Sequence, residues 1–255
     1  MSNLNGKVAL ITGASRGIGL ATVNELSRLG AHVVLAARSA APIQEVATQI
    51  SENGGHAVAV ECDVASFEQV QAAVSSTLAT LNRLDILVNN AGTINPISRI
   101  DESDPELWSK AIDINLKGVY HGLRAALPIM TAQGGGVIVN LSSGAATSTL
   151  EGWSHYCASK AAVKMLTACT HKEFSDQGIR VVGLSPGTVA TDMMSSIKSS
   201  GVNPVSQLDW STHIPPEWAA KAIAFLCGPG GEPYAGTDFS IKTDEGRAVV
   251  GLPPL

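Results

Sequence analysis

Short aliphatic and β-branched runs return throughout this chain, each followed by a stretch with helical spacing, and that alternation limits the fold more than any other feature. Strands are expected at Val8–Thr12, His32–Ala36, Ala57–Cys62, Ile86–Asn89, Val137–Ser142, Val181–Ser185 and Thr237–Ile241. Helices are expected near 17–29, 41–53, 67–81, 105–132, 155–177 and 216–227. The strands are apolar at consecutive positions, so both faces of the sheet need covering, and helical crossovers then make its strands parallel. Several boundaries carry their own signals. Ser66-Phe67-Glu68-Gln69 reads as a capping box in which Ser66 and Gln69 satisfy each other's orphan amides. Asp104-Pro105 sets a cap before a residue that needs no amide partner, and Gly30 and Gly54-Gly55 can turn left-handed where the first two helices stop.

Composition agrees. Charged residues are 15% of the 255, against roughly a quarter in an average soluble domain, while aromatics are only 4%. Small aliphatics and glycine must therefore do the packing, which suits helices lying close on a buried parallel sheet. No repeat or linker divides the chain, so residues 1–255 read as a single domain. A net charge of −5 without any basic block argues against nucleic acid or an anionic membrane as partner. Met1–Lys7 has no basic stretch leading into an apolar one, so no secretory signal is read there. The uncharged run Ala125–Leu150 is broken by Pro128, Gly134-Gly135-Gly136 and Asn140, as a loop entering a buried strand would be, rather than a membrane span. Four cysteines form no C-x-x-C pair, which points to incidental thiols in a reducing cytoplasm, and no metal site is visible.

Connections after the first three strands are short, whereas those near 90–103, 143–154 and 186–215 are long. In an open α/β sheet these all leave the carboxyl ends of strands, where ligands bind. The first strand also runs into Thr12-Gly13-Ala14-Ser15-Arg16-Gly17-Ile18-Gly19 and then a helix. Glycines there let backbone approach a pyrophosphate, and the helix N-terminus offers free amides and partial positive charge. The spacing G-x-x-x-G-x-G is followed in order by Asp63, Asn89-Asn90-Ala91-Gly92, Asn115, Ser143, Tyr156-x-x-x-Lys160, Pro186-Gly187 and Thr191. In this ordered set, over about residues 6 to 241, the chain resembles the short-chain dehydrogenase/reductase family. The fold class expected is α/β: a doubly wound Rossmann-type fold with a single parallel sheet of about seven strands and helices on both faces.

The end of the second strand bears on the cofactor. An NAD site needs a carboxylate there for the adenosine ribose, but the run is Val34-Leu35-Ala36-Ala37-Arg38. Ala37 stands where the NAD-dependent relatives implied by the resemblance carry Asp. Arg38, helped by Arg16, offers planar paired donors to a 2′-phosphate, so NADP(H) is favoured over NAD(H). The resemblance further assigns Gly13, Ser15, Gly17, Ile18 and Gly19 to the phosphate loop. It places Asp63 and Val64 at the adenine, Asn90 at the ribose, and Pro186, Gly187, Val189 and Thr191 at the carboxamide. A turn or cap remains an alternative role for Asp63 and Thr191.

Tyr156 and Lys160 stand one helical turn apart, ~6 Å along the axis. A neighbouring ammonium is expected to lower the tyrosine pKa, and in the reduction direction neutral tyrosine can hand its proton to a carbonyl oxygen. By resemblance Ser143, rather than adjacent Ser142, orients that carbonyl, and Asn115 holds a water linking Lys160 to solvent. The pocket should be walled by Thr93–Ile97, Gly144–His155 and a lid near 192–214, with hinge-like Gly201 and Asn203-Pro204. Trp153 and Trp210 either shape an apolar slot or pack locally. Glu151, His155 and His213 read as solvent-facing or structural, and no basic cluster in these loops demands an anionic substrate. Past Cys227 the sequence departs from the family, ending in an atypical segment 242–255, which weakens any carry-over of subunit geometry. The reading is an NADPH-dependent carbonyl reductase, reversible as an alcohol dehydrogenase, acting on a small ketone or secondary alcohol as a homodimer or homotetramer. A 3-oxoacyl thioester reductase and a non-catalytic NADP-binding regulator are the alternatives; a sugar-nucleotide epimerase is disfavoured by chain length and glycine spacing.

Overall fold

The computed structural model describes residues 3–254; Met1, Ser2 and Leu255, which belong to the terminal segments read above, lie outside the described residues. Seven strands form one sheet in the order β3-β2-β1-β4-β5-β6-β7. They are β1 (Val8–Thr12), β2 (His32–Ala37), β3 (Ala57–Glu61), β4 (Ile86–Asn89), β5 (Gly136–Leu141), β6 (Ile179–Ser185) and β7 (Asp238–Ser240). Every neighbouring pair is parallel, for example Leu10 against Val34 and against Leu87. The strand order reverses between β1 and β4, and the crevice over that point is where such sheets take ligands.

Because strand side chains alternate between faces, the sheet divides two cores by sequence parity. Ala9, Ile11, Val33 and Leu35 point to one, where α1 (Gly17–Arg28), α2 (Ala40–Glu52) and α8 (Pro216–Cys227) contribute Leu26, Ile43 and Ile223. Val8, Leu10, Val34 and Ala36 point to the other, met by Val74 of α3 (Phe67–Leu81), Leu123 of α5 (Gly118–Ala132) and Val163 of α6 (Ser154–Phe174). Asp104 caps α4 (Pro105–Ile112), accepting from the amides of Glu106 at 2.8 Å and Leu107 at 3.2 Å.

Four expectations are corrected. The helix near 105–132 is interrupted: α4 gives way to a π-helical turn, Asp113–Lys117, before α5 begins. The capping box is only half formed. Ser66 accepts from the Gln69 amide at 3.3 Å, but Gln69 Oε1 accepts from the amide of Asp63 instead of that of Ser66. The segment expected as a long loop opens with α7 (Asp192–Ser200), and the atypical C-terminal segment holds α9 (Asp244–Val250). Both missing helices stand beside the ligand crevice. No helix among the described residues is long and apolar enough to cross a membrane.

Candidate active site

The glycine-rich loop is closed from behind by Asn90. Its Nδ2 donates to the carbonyls of Thr12 at 2.8 Å and Gly13 at 3.2 Å, while Thr12 Oγ1 accepts from the amides of Asn90 and Ala91. A Cβ on Gly19 would stand 2.2 Å from the Gly13 oxygen, and one on Gly13 would stand 2.9 Å from Ala91 Cα, so the loop admits no side chain at either place. The residue before α1, Arg16, makes no side-chain cap, and the first turn holds no acid. The first amides of α1 therefore have no partner among the described residues, and Gly17 and Ile18 border the cleft, the arrangement that receives a phosphate. A dinucleotide fits this cradle: backbone closeness, free amides and partial positive charge occur together.

Ser15, Arg16, Gly17 and Ile18 border the same cleft of about 1030 Å³, as do Arg38, Asp63, Val64, Asn90, Pro186, Gly187, Val189 and Thr191. Ala37 is 6% exposed at the end of β2, with no carboxylate beside it in sequence, and Arg38 projects into solvent. Arg16 instead reaches Asp192 at the start of α7, Nη1 to Oδ2 3.0 Å, with both side chains largely exposed. Asp63 both borders the cleft and closes a turn by accepting from the Ala65 amide at 3.0 Å. The Val189 segment is held by Ile214, whose amide and carbonyl bond to the Thr188 carbonyl and the Ala190 amide.

Across the cleft, α6 carries Tyr156 and Lys160, both buried, with Nζ 5.6 Å from the phenol ring centre. Lys160 Nζ donates to the Leu141 carbonyl at 2.5 Å, fixing it under the end of β5. Burial pushes the ammonium down to about 8, against which half-buried Asp238 pulls upward. Burial raises the Tyr156 pKa, and a hydrogen bond with Ser143 only partly opposes that. The shift runs opposite to the expected lowering: burial is its largest cause, and the phenol keeps its proton at neutral pH. Ser143 and Ser142 divide their duties. Ser143 neighbours the phenol, whereas Ser142 donates to Asp238 Oδ2 at 2.5 Å. Asn115 lies in the π-helical turn, fully buried, its carboxamide bound on both sides to the backbone of Thr93 at 2.7 and 2.8 Å. Gly92 lies between them, since a Cβ there would approach Asn115 Oδ1 at 3.3 Å and Lys160 Nζ at 4.0 Å.

Family-model comparison matches residues 7–201 to the short chain dehydrogenase model. The chain belongs to the short-chain dehydrogenase/reductase family. It is 36% identical to a 3-oxoacyl-[acyl-carrier-protein] reductase from Synechocystis over 94% of its length and 97% of the relative's. It is 33% identical to a cyclohexanol dehydrogenase from Acinetobacter, covering 94% and 96% of the two chains. A solved short-chain type dehydrogenase/reductase from Mycobacterium marinum superposes with a TM-score of 0.86 at 31% identity, over 94% of this chain and 95% of that one. As a short-chain dehydrogenase/reductase the protein is an oxidoreductase of a family that uses nicotinamide cofactors, and the seven-stranded parallel sheet is the fold its motifs implied.

The rest of the short-chain dehydrogenase/reductase's cleft is apolar where it meets Tyr156. Ile94, Trp153, Met194 and Ile197 form a buried apolar cluster against Tyr156, with Trp153 edge-on to the phenol at 5.6 Å. Trp153 thus lines the cleft, whereas Trp210, 43% exposed, packs on His213 outside it. His155 is buried against the Ile94 carbonyl at 2.8 Å, and exposed Glu151 pairs with Arg99, so neither faces the cleft. Asn203 ties the segment after α7 to the Glu151 carbonyl at 2.9 Å. Two basic cleft residues escaped sequence reasoning: Lys242 and Arg247. They follow β7, outside the loops searched for basic residues, and only the sheet order brings them over.

Proposed function

We propose that the protein is an NADPH-dependent carbonyl reductase, reversible as an alcohol dehydrogenase, for a small ketone or secondary alcohol. The observation that carries this reading is the convergence of Ser143, Tyr156 and Lys160 on the cleft that the glycine-rich loop opens. When bound, the reduced nicotinamide supplies a hydride to the carbonyl carbon. Tyr156 Oη gives its proton to the carbonyl oxygen, and Ser143 Oγ donates a hydrogen bond to the same oxygen as negative charge grows there. Lys160 stabilises the phenolate left behind, and Asn115, from the π-helical turn, supports proton return from solvent through Lys160. A phenol kept neutral by burial favours the reduction direction.

Arg38 and the alanine at position 37 support NADP over NAD. Arg16 shares that task only by releasing Asp192. The phosphate loop from Gly13 to Gly19, Asp63, Val64, Asn90 and Pro186 to Thr191 hold the cofactor, and the segment 192–214 is the substrate lid of a single domain. Tyr120 on α5, 50% exposed, and Met165 on α6, 64% exposed, leave apolar surface that suits a homodimer or homotetramer. Cys62 and Cys227 are buried with thiols pushed up to about 11 and about 12, inert groups that suit a reducing cytoplasm.

The test is NADPH oxidation against ketones, diketones and acetoacetyl thioesters, with NADH in parallel. Tyr156→Phe should bind NADPH like the wild type while turnover falls ~10²–10⁴-fold. An active Tyr156→Phe enzyme removes the proposed acid, and a preference for NADH removes the cofactor assignment. Tight NADPH binding without turnover of any carbonyl would favour the regulator.

A further inference from the structure

The protein is acidic overall, but its cleft is not. Arg16, Arg38, Lys160, Lys242 and Arg247 border it, against Asp63, Asp192 and Glu217. The reading above uses the first three basic groups for phosphates and proton handling. Asp192 already pairs with Arg16, Asp63 caps its own turn, and Glu217 is exposed in the first turn of α8. Two cations beyond β7 are left over.

Lys242 does not simply extend into water. A Cβ on Gly187 would lie 3.0 Å from its Cγ, and a Cβ on Gly144 would lie 3.2 Å from its Nζ. Two side-chain-free positions thus make the lane along which the aliphatic stem runs, delivering the ammonium beside Gly144, one Cα step of ~3.8 Å from Ser143. Arg247, which borders the same cleft and is 3% exposed, is fixed by its Nε donating to the Ile241 carbonyl at 2.8 Å and by Trp218 5.2 Å under its guanidinium. Its Nη1 is buried with no partner among the described residues. A buried charge is ordinarily paired, so an unpartnered guanidinium nitrogen on a cleft wall marks a place for an anion.

We propose that Lys242, backed by Arg247, selects carbonyl substrates that carry a carboxylate or another compact anion a few bonds from the reacting carbon. The proposal rests on the reductase reading and narrows its substrate class to oxo acids and the corresponding hydroxy acids. The apolar cluster of Ile94, Trp153, Met194 and Ile197 then takes the hydrocarbon part. A cofactor phosphate is the other source of such an anion, but the free amides of α1 and Arg38 already serve the phosphates, and Lys242 stands beside Gly144, the residue after Ser143, instead.

The experiment pairs 2-, 3- and 4-oxo acids of five or six carbons with their methyl esters. Each is titrated calorimetrically into the enzyme with NADP+ and, separately, assayed for reduction with NADPH. For at least one chain length the acid should outperform its ester by about tenfold or more in both Kd and kcat/KM, as charge-assisted hydrogen bonding allows. Lys242→Arg should keep that ratio, Lys242→Met should bring it near one, and Lys242→Glu should invert it. A ratio near one in the wild type, or one that survives Lys242→Met, overturns the proposal. If Lys242→Met weakens NADPH itself by the same factor and spares the ratio, the anion is the cofactor's and the proposal also fails. Failure of every acid and ester to be reduced, with calorimetric selectivity intact, defeats the reductase reading and leaves the anion site standing.

Discussion

Burial acts on Tyr156 and Lys160 in opposite chemical senses: it leaves a proton on the phenol and loosens one on the ammonium. With Lys160 near 8, its positive charge is present at neutral pH and lost above that value. Carbonyl reduction should therefore hold level through neutral pH and decline above about 8, read as kcat/KM against pH. Asp238 holds the Lys160 value up, so Asp238→Asn should move the decline to lower pH; an unmoved profile would separate Asp238 from the site. Tyr156 and Lys160 could be paired in the sequence because one helical turn separates them, while Ser143 was proposed only through the family resemblance. Asp238 was not legible, because it meets Ser142 across 96 positions, a contact that exists only once β5, β6 and β7 lie side by side. Lys242 was hidden for the same reason.

Among elements, the β1–α1 link is the least tolerant of change. Gly19→Ala would put a methyl 2.2 Å from the Gly13 oxygen and 2.6 Å from Asn90 Nδ2. It should destabilise the fold by ~1–3 kcal/mol and weaken NADPH binding at least about tenfold, by denaturant titration and fluorescence titration respectively. Gly54→Ala is the control. Its φ of +81° is strained for alanine, but nothing lies within 4 Å, so stability should fall without loss of NADPH affinity. The strands were readable because burial on both faces writes continuous apolar runs. α7 was not, since its serines favour turns and caps and it is stabilised by Met194 and Ile197 packing on the cleft. α9 did carry a signal: Thr243 caps it, accepting from the Gly246 amide at 3.2 Å, with Asp244 and Glu245 in the first turn and Gly251 past its end. Gly246 inside that first turn masked the pattern.

For the whole molecule, stability depends on titratable groups that folding removes from water. His155 is held below its ordinary value of 6.5 by burial, despite the Ile94 carbonyl, and His32 and His213 shift the same way through burial. A lowered histidine pKa means the unfolded chain binds more protons, so this stability is complete above about 6.5 and is lost as pH falls below it. Denaturant titrations at pH about 7.5 and about 5.5 should show the acid sample weaker, and His155→Gln should narrow the gap; an equal gap would exonerate His155. The π-helical turn at Asp113–Lys117 has a different reach. It splices one surplus residue into an otherwise continuous rod, and each residue rotates a helix by ~100°. Within the turn, Asn115 binds the backbone of Thr93; downstream, Gly122 lies so close over Asn89 that a Cβ would stand 2.2 Å from its Oδ1. Excising that residue would swing everything from Gly118 to Ala132 out of phase. Keeping it uncouples the two halves, so the turn can hold Ile114 at the cleft and Asn115 on Thr93 while Gly122 stays seated on Asn89.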